Sequence, residues 1–103
     1  MEKPDLSAIP VIDNPDFSRF EMTVKGYLAI IEYQKREGKI YLTHTEVPEE
    51  LAGQGVGSHL IRSSLQMIEK ENLKVVPVCS FVSAFIRKNA EFQKLLLPGI
   101  RIN

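Results

Sequence analysis

Between residues 17 and 47 the apolar positions follow the rhythm of strands. Phe20, Met22 and Val24 alternate with Glu21 and Thr23, the period of a strand that buries one face. Lys25-Gly26 reads as a turn, and residues 27–33 carry aromatic and aliphatic side chains on both alternating sets, as in a strand covered on both sides. Arg36-Glu37-Gly38-Lys39 supplies the next turn, and residues 40–47 form a third strand that Pro48 ends. Connections this short predict an antiparallel meander. The rhythm then changes, because Val56, Leu60, Ile61, Leu65 and Ile68 recur at helical spacing as far as Glu71, with Asn72 as the stop. Residues 74–78 make a short apolar strand that the helix can return parallel to the third. Ser80 is placed to cap a second helix over 81–88, which 90–96 continue after a break near Asn89. Residues 1–16, with prolines at 4, 10 and 15, are expected to be an irregular lead-in to a single domain over 17–103. The order β, β, β, α, β, α predicts an α/β fold of the α+β type, a mixed and mostly antiparallel sheet with helices on its faces.

Composition narrows the function classes. The 103 residues are 44% hydrophobic and 25% charged, enough for one modest core. Thirteen Lys plus Arg balance thirteen Asp plus Glu, so overall charge draws the chain neither to nucleic acid nor to an anionic membrane, and neither is expected as a partner. The single cysteine, Cys79, has no intramolecular disulfide partner, and two histidines, His44 and His59, offer no zinc-like spacing, so no metal is expected. No apolar run has the length of a signal peptide or a membrane span. These features predict a soluble, monomeric protein of a reducing compartment, the cytoplasm.

The candidate chemistry centres on Ala52-Gly53-Gln54-Gly55-Val56-Gly57-Ser58, a glycine loop that opens the first helix. Three glycines in five positions clear side chains from a place where backbone N–H groups converge and carry partial positive charge, which makes an anion site, most naturally for a phosphate or diphosphate. The plainer reading is a tight turn with close helix packing. No lysine follows Gly57, which excludes a Walker loop, and the loop follows antiparallel strands, which excludes a Rossmann fingerprint.

The strand 40–47 and the run Pro48-Glu49-Glu50-Leu51-Ala52-Gly53-Gln54-Gly55-Val56-Gly57-Ser58-His59-Leu60 resemble the coenzyme A signature of the GNAT superfamily of N-acetyltransferases, in its very small single-domain, YjdJ-like branch. Val11-Ile12-Asp13-Asn14, the run at 43–48, Lys74-Val75-Val76-Pro77-Val78-Cys79 and Phe85-Ile86-Arg87-Lys88-Asn89 extend the likeness over residues 11–92. The resemblance implies a GNAT-like sheet in which the third strand and the 74–78 strand form a central, splayed parallel pair. It also implies acetyl transfer from acetyl-coenzyme A to an amine acceptor, a small molecule or a lysine side chain. By this likeness the diphosphate lies on Gly53, Gln54, Gly55, Val56, Gly57 and Ser58, and the pantetheine arm pairs with the strand at Thr45 and Val47. Arg87 is a further candidate, for reaching a coenzyme phosphate, with a charged helix face in water as the alternative. Two positions depart from the superfamily pattern. Ala52 stands where it has Arg or Gln, with Gln54 as a substitute, and no tyrosine follows the loop to protonate a leaving thiolate.

Three residues are candidates for catalysis. Cys79 ends a strand and starts a helix, where the dipole favours a thiolate that relays the acetyl group or stands by as an acid; the alternative is a small packed side chain. His44 has the pKa range of a general base, but alternation sets it on the face of Ile40 and Leu42, as a structural histidine would be. Glu46 extends that face toward the cleft as a base, as an attractor of a cationic amine, or as a solvated side chain. A non-catalytic module that binds coenzyme A or its acyl thioesters is the alternative to an enzyme. A third class is an interaction protein docking through Leu95-Leu96-Leu97-Pro98, a run also readable as a terminal core anchor.

Overall fold

In the computed structural model, which describes residues 5–102, the elements run β1 (Ile12–Asn14), β2 (Arg19–Val24), β3 (Tyr27–Arg36), β4 (Lys39–Glu46), α1 (Val56–Lys70), β5 (Lys74–Pro77) and α2 (Ser80–Lys88). Short 3-10 turns cover Leu6–Ala8, Glu49–Leu51 and Ala90–Leu95. The strands form one sheet in the order β1-β2-β3-β4-β5, antiparallel except for the parallel pair β4 and β5. Both hairpin turns have a residue followed by glycine in the left-handed region: Lys25 (φ 52°) and Gly26 (83°), then Glu37 (48°) and Gly38 (78°). Two successive positive φ values match the twist of the flanking strands, which is why a two-residue loop closes each hairpin.

The lead-in expected to be irregular contains a strand of the sheet; residues 1–4, with Pro4, lie outside the described residues. Three residues are too few for alternation to show, so β1 is held by distant partners instead. Ile12, Asp13 and Asn14 pair with Glu21, Phe20 and Arg19. The Tyr33 hydroxyl donates to Asp13 Oδ1 at 2.5 Å, and Lys35 Nζ stands 3.8 Å from Asp13 Oδ2 and 3.1 Å from Glu71 Oε2.

Packing follows the sequence periodicity. Phe20, Met22, Ile31, Ile40 and Leu42 from the sheet meet Leu60, Ile61 and Leu65 of α1 and Val82 and Ile86 of α2 in one buried cluster. In β3 the buried run is Ala29, Ile30 and Ile31, whereas Tyr27 and Leu28 are exposed. On the other side of the sheet Ile12, Thr23, Leu28, Gln34, His44 and Glu46 are exposed. Asn72 enters the left-handed region (φ 59°) just past α1, the conformation that ends a helix. The tail is an anchor: Leu95 is buried, Leu96 bridges Val75 in parallel, and the Leu97 N–H donates to the Val75 carbonyl at 3.0 Å, covering the outer edge of β5. Among the described residues no helix is long and apolar enough to cross a membrane.

One irregularity sets the site. Tyr33 pairs with Leu42 but its neighbour Glu32 pairs with His44, so Thr43 is an extra residue in β4, a bulge. Since side chains alternate with period two, one extra residue exchanges the faces of everything after it. His44 therefore does not share the face of Ile40 and Leu42, and Glu46 does not extend that face. Both stand on the exposed side, opposite Glu32 and Ile30, while Thr45 pairs with the core residue Ile31 and faces the helices.

Candidate functional site

Beyond Leu42 the parallel pair separates. The last contacts are Leu42 with Pro77 and the Cys79 N–H donating to the Leu42 carbonyl at 2.9 Å, so β4 from Thr43 to its end keeps β3 as a partner and has none in β5. A strand edge with free N–H and C=O groups is a template for an extended ligand. Val47, at the end of this edge, lines a cavity of about 290 Å3 together with Leu51, Phe81 and the glycine loop.

The loop is built as its glycines require. Leu51, buried, pins its start. Gly53 (φ 74°) and Gly55 (78°) adopt the left-handed conformation that disfavours any side chain. A Cβ at Gly53 would meet nothing within 4 Å, and one at Gly55 would find only Leu6 Cδ1 at 3.9 Å, so these positions face open space and glycine is there for the backbone turn. Gly55 is the N-cap of α1, no side chain caps the helix, and no acidic residue occupies its first turn. The first N–H groups of a 15-residue helix are thus left to whatever enters the cavity. This is a fit for the diphosphate of a nucleotide-type cosubstrate. The side chain of Gln54 turns away from the cavity wall: its amide Nε2 donates to the Glu50 carbonyl at 3.3 Å, and its Oε1 is buried without a partner among the described residues. Arg87 is exposed and lies outside the cavity walls. Its neighbour Lys88 lines a second cavity, of about 260 Å3, with Ser58 and Arg62.

Cys79, rather than Ser80, is the N-cap of α2, and it is half-buried against the core. Its Sγ lies 3.4 Å from Thr45 Oγ1, on the helix side of the gap. Burial pushes the thiol up, but the Thr45 hydroxyl and the backbone N–H groups of Val82, Phe81 and Thr45 outweigh it, and the net displacement is downward. The Val82 and Phe81 amides act as aimed dipoles of the helix N-terminus, since the sulfur makes no capping hydrogen bond in the strict sense. Thr45 is thus a neighbour of the sulfur as well as an edge residue, a role that only the bulge reveals.

The other candidates lie apart from Cys79. His44 and Glu46 occupy the opposite face of β4, brought together with Glu32 and not with the thiol. No phenol stands on α2, and Phe85 is buried against Phe92 with ring centroids 5.9 Å apart. Tyr33 is locked: burial first, then its hydrogen bond to Asp13 and the charge of that carboxylate, push its pKa far above the usual value. Arg62 carries no motif in the sequence, and its role is structural. It lies 5.4 Å from the rings of both Phe85 and Phe92 and donates to Asn89 Oδ1 at 3.1 Å, tying α1 to the end of α2. Among the described residues no group of three or more His, Cys, Asp or Glu is arranged to hold a metal ion.

Comparison with known proteins agrees with this geometry. The family model of the GCN5-related N-acetyltransferases matches residues 19–95. The protein NATD1 of Bos taurus is 33% identical over 48 residues, which are 47% of this chain and 42% of that protein. NATD1 of Danio rerio is 33% identical over 54 residues, 52% of this chain and 49% of the relative. The chain thus spans less than half the length of these relatives. The solution NMR structure of a GCN5-like candidate N-acetyltransferase from Staphylococcus aureus superposes with a TM-score of 0.69 at 28% identity, covering 89% of this chain and 90% of the other.

Proposed function

Because the chain belongs to the GCN5-related N-acetyltransferase family, we propose that it moves an acetyl group from acetyl-coenzyme A to an amine acceptor. The observation that carries this reading is the uncapped N-terminus of α1 beneath a glycine loop, opening beside the free edge of β4 and the Cys79 thiol. Acetyl-coenzyme A, when bound, supplies the acetyl group as a thioester. The amides of residues 53–58, with no side chain from Gly53, Gly55 or Gly57 in the way, hold its diphosphate. The open edge at the Thr45 carbonyl and at Val47 pairs with the pantetheine arm, as a strand would, while the Thr45 N–H is aimed at Cys79. This aims the thioester along β4 toward the gap that holds Cys79, and a backbone N–H of that edge polarises its carbonyl.

Cys79 stands at the N-cap of α2 with its Sγ 3.4 Å from Thr45 Oγ1 on the helix side of the gap, and its pKa is displaced downward, so we assign it the relay. Its thiolate adds to the acetyl carbon, a new carbon–sulfur bond forms, the bond to the coenzyme sulfur breaks, and the departing thiolate takes a proton from water. A neutral amine then attacks the acetyl carbon, the bond to Cys79 breaks, and its thiolate is restored. The attacking nitrogen gives its second proton to water, because His44 stands on the face of β4 away from the thiol. The acceptor approaches over the exposed face of the sheet, where Glu46 draws the cationic amine and His44 first takes the proton that leaves it neutral.

One observation favours a module that binds the coenzyme without turnover: no phenol stands on α2, and Tyr33 is tied to Asp13. Turnover against a panel of polyamines, lysine peptides and small amines separates the two. Acetylated product formed only with acetyl-coenzyme A present supports the enzyme, and coenzyme binding with no product for any amine supports the module.

A further inference from the structure

The first turn of α2 carries an aromatic ring that the core does not require. Val82, Phe85 and Ile86 are the residues α2 buries, whereas Phe81 keeps 46% of its surface exposed. The ring nevertheless has a definite seat. A Cβ built on Gly57 would stand 2.8 Å from Phe81 Cζ and 3.5 Å from Val47 Cγ2, closer to the ring than real Cβ atoms come. Gly57 has an ordinary helical backbone, unlike Gly53 and Gly55, so what it provides is space for the ring.

Phe81 lines both cavities of the site, the one over the glycine loop and the one bounded by Arg62, Phe85 and Lys88. Ser58 is the other residue that the two walls share. The ring therefore stands as a partition where two cavities meet at the start of α1. Each cavity, about 290 and about 260 Å3, is at the small end of the volumes that hold drug-sized ligands, roughly 300–1,000 Å3, and coenzyme A is larger than such ligands.

We infer that Phe81 is a specificity-determining residue of this groove: its ring separates the cavities, and a ligand spanning both must turn it aside, whereas one confined to the loop cavity leaves it seated. The inference rests on the coenzyme reading of the loop. An exposed side chain rotates about its own bonds without moving backbone, so the barrier is small. What the long ligand forfeits is the partial burial of a phenyl ring, which weakens its binding about fivefold relative to a ligand that leaves the ring in place.

The test is calorimetric titration of coenzyme A and of 4′-phosphopantetheine into the wild-type protein, Phe81→Ala and Phe81→Leu, with circular dichroism as the check on folding. The partition predicts that Phe81→Ala binds coenzyme A about fivefold more tightly, with phosphopantetheine affinity within about twofold of wild type and Phe81→Leu in between. Equal changes for both ligands, or coenzyme A binding that weakens when the ring is removed, overturn it, the second result marking Phe81 as a stacking contact. A wild-type protein that binds neither ligand overturns the coenzyme reading itself and the inference with it.

Discussion

Thr45 Oγ1 lies 3.4 Å from Cys79 Sγ, joining two residues 34 positions apart across the gap between β4 and the start of α2. The contact exists because the bulge at Thr43 turns Thr45 toward the helices. With the N–H groups of Val82, Phe81 and Thr45, this hydroxyl overcomes the burial that would otherwise raise the thiol pKa.

Thr45→Val removes the hydroxyl paired with the sulfur and leaves the burial, so the Cys79 pKa rises. Alkylation of the native protein with iodoacetamide at pH 7 should slow by about fivefold, and its pH profile should move to higher pH. The stability linkage has a definite sign. The folded pKa is below the unfolded one, so ionised Cys79 contributes stability that is fully present above the unfolded value and is lost as pH falls through the folded value. Denaturant midpoints measured from pH 6 to 9.5 should show this rise in wild type and a smaller one in Thr45→Val.

Tyr33→Phe should detach the edge strand. It removes the 2.5 Å hydrogen bond to a carboxylate, an interaction worth about 1.5–3 kcal/mol, and hydrogen exchange should accelerate most at Ile12, Asp13 and Asn14. The Tyr33 pKa is raised in the folded state. Its contribution is therefore full below the unfolded value of about 10 and is lost as pH climbs through the folded one. Spectrophotometric titration of the native protein should find one of the three tyrosines resistant until the protein unfolds in alkali.

Ser64 sits on the buried face of α1 with its Oγ lacking a hydrogen-bond partner among the described residues. Ser64→Ala should remove an unmet hydroxyl and improve helix propensity, raising stability by about 1 kcal/mol in urea denaturation with an unchanged m-value.

The three central strands and α1 were legible because each is long enough for its own periodicity, and the Lys25-Gly26 and Glu37-Gly38 turns announce themselves by residue type. Three features were not. Strand β1 has three residues and no alternation, and exists through Tyr33 and β2. The Thr43 bulge leaves no mark in the run Leu42-Thr43-His44-Thr45-Glu46, where polar residues fit either face, so strict alternation misplaced His44 and Glu46 while Thr45 took the inward position. The role of Gly57 reads in sequence as one of three equivalent loop glycines. Only the long-range contact with Phe81 distinguishes it from Gly53 and Gly55, which serve the backbone turn.

The measurement that bears most directly on the account is coenzyme A titrated into the 15N-labelled protein and into Gly55→Val, with amide shifts and calorimetric affinity recorded together. Valine at a φ of 78° costs about 1–2 kcal/mol of backbone strain, and the space around its Cβ is open, so the variant should fold while its loop amides lose their convergence. The account predicts that the largest wild-type shifts fall on residues 53–58 and that Gly55→Val binds at least about tenfold more weakly. Unchanged affinity in a folded Gly55→Val protein, or shifts centred away from the loop, would contradict it.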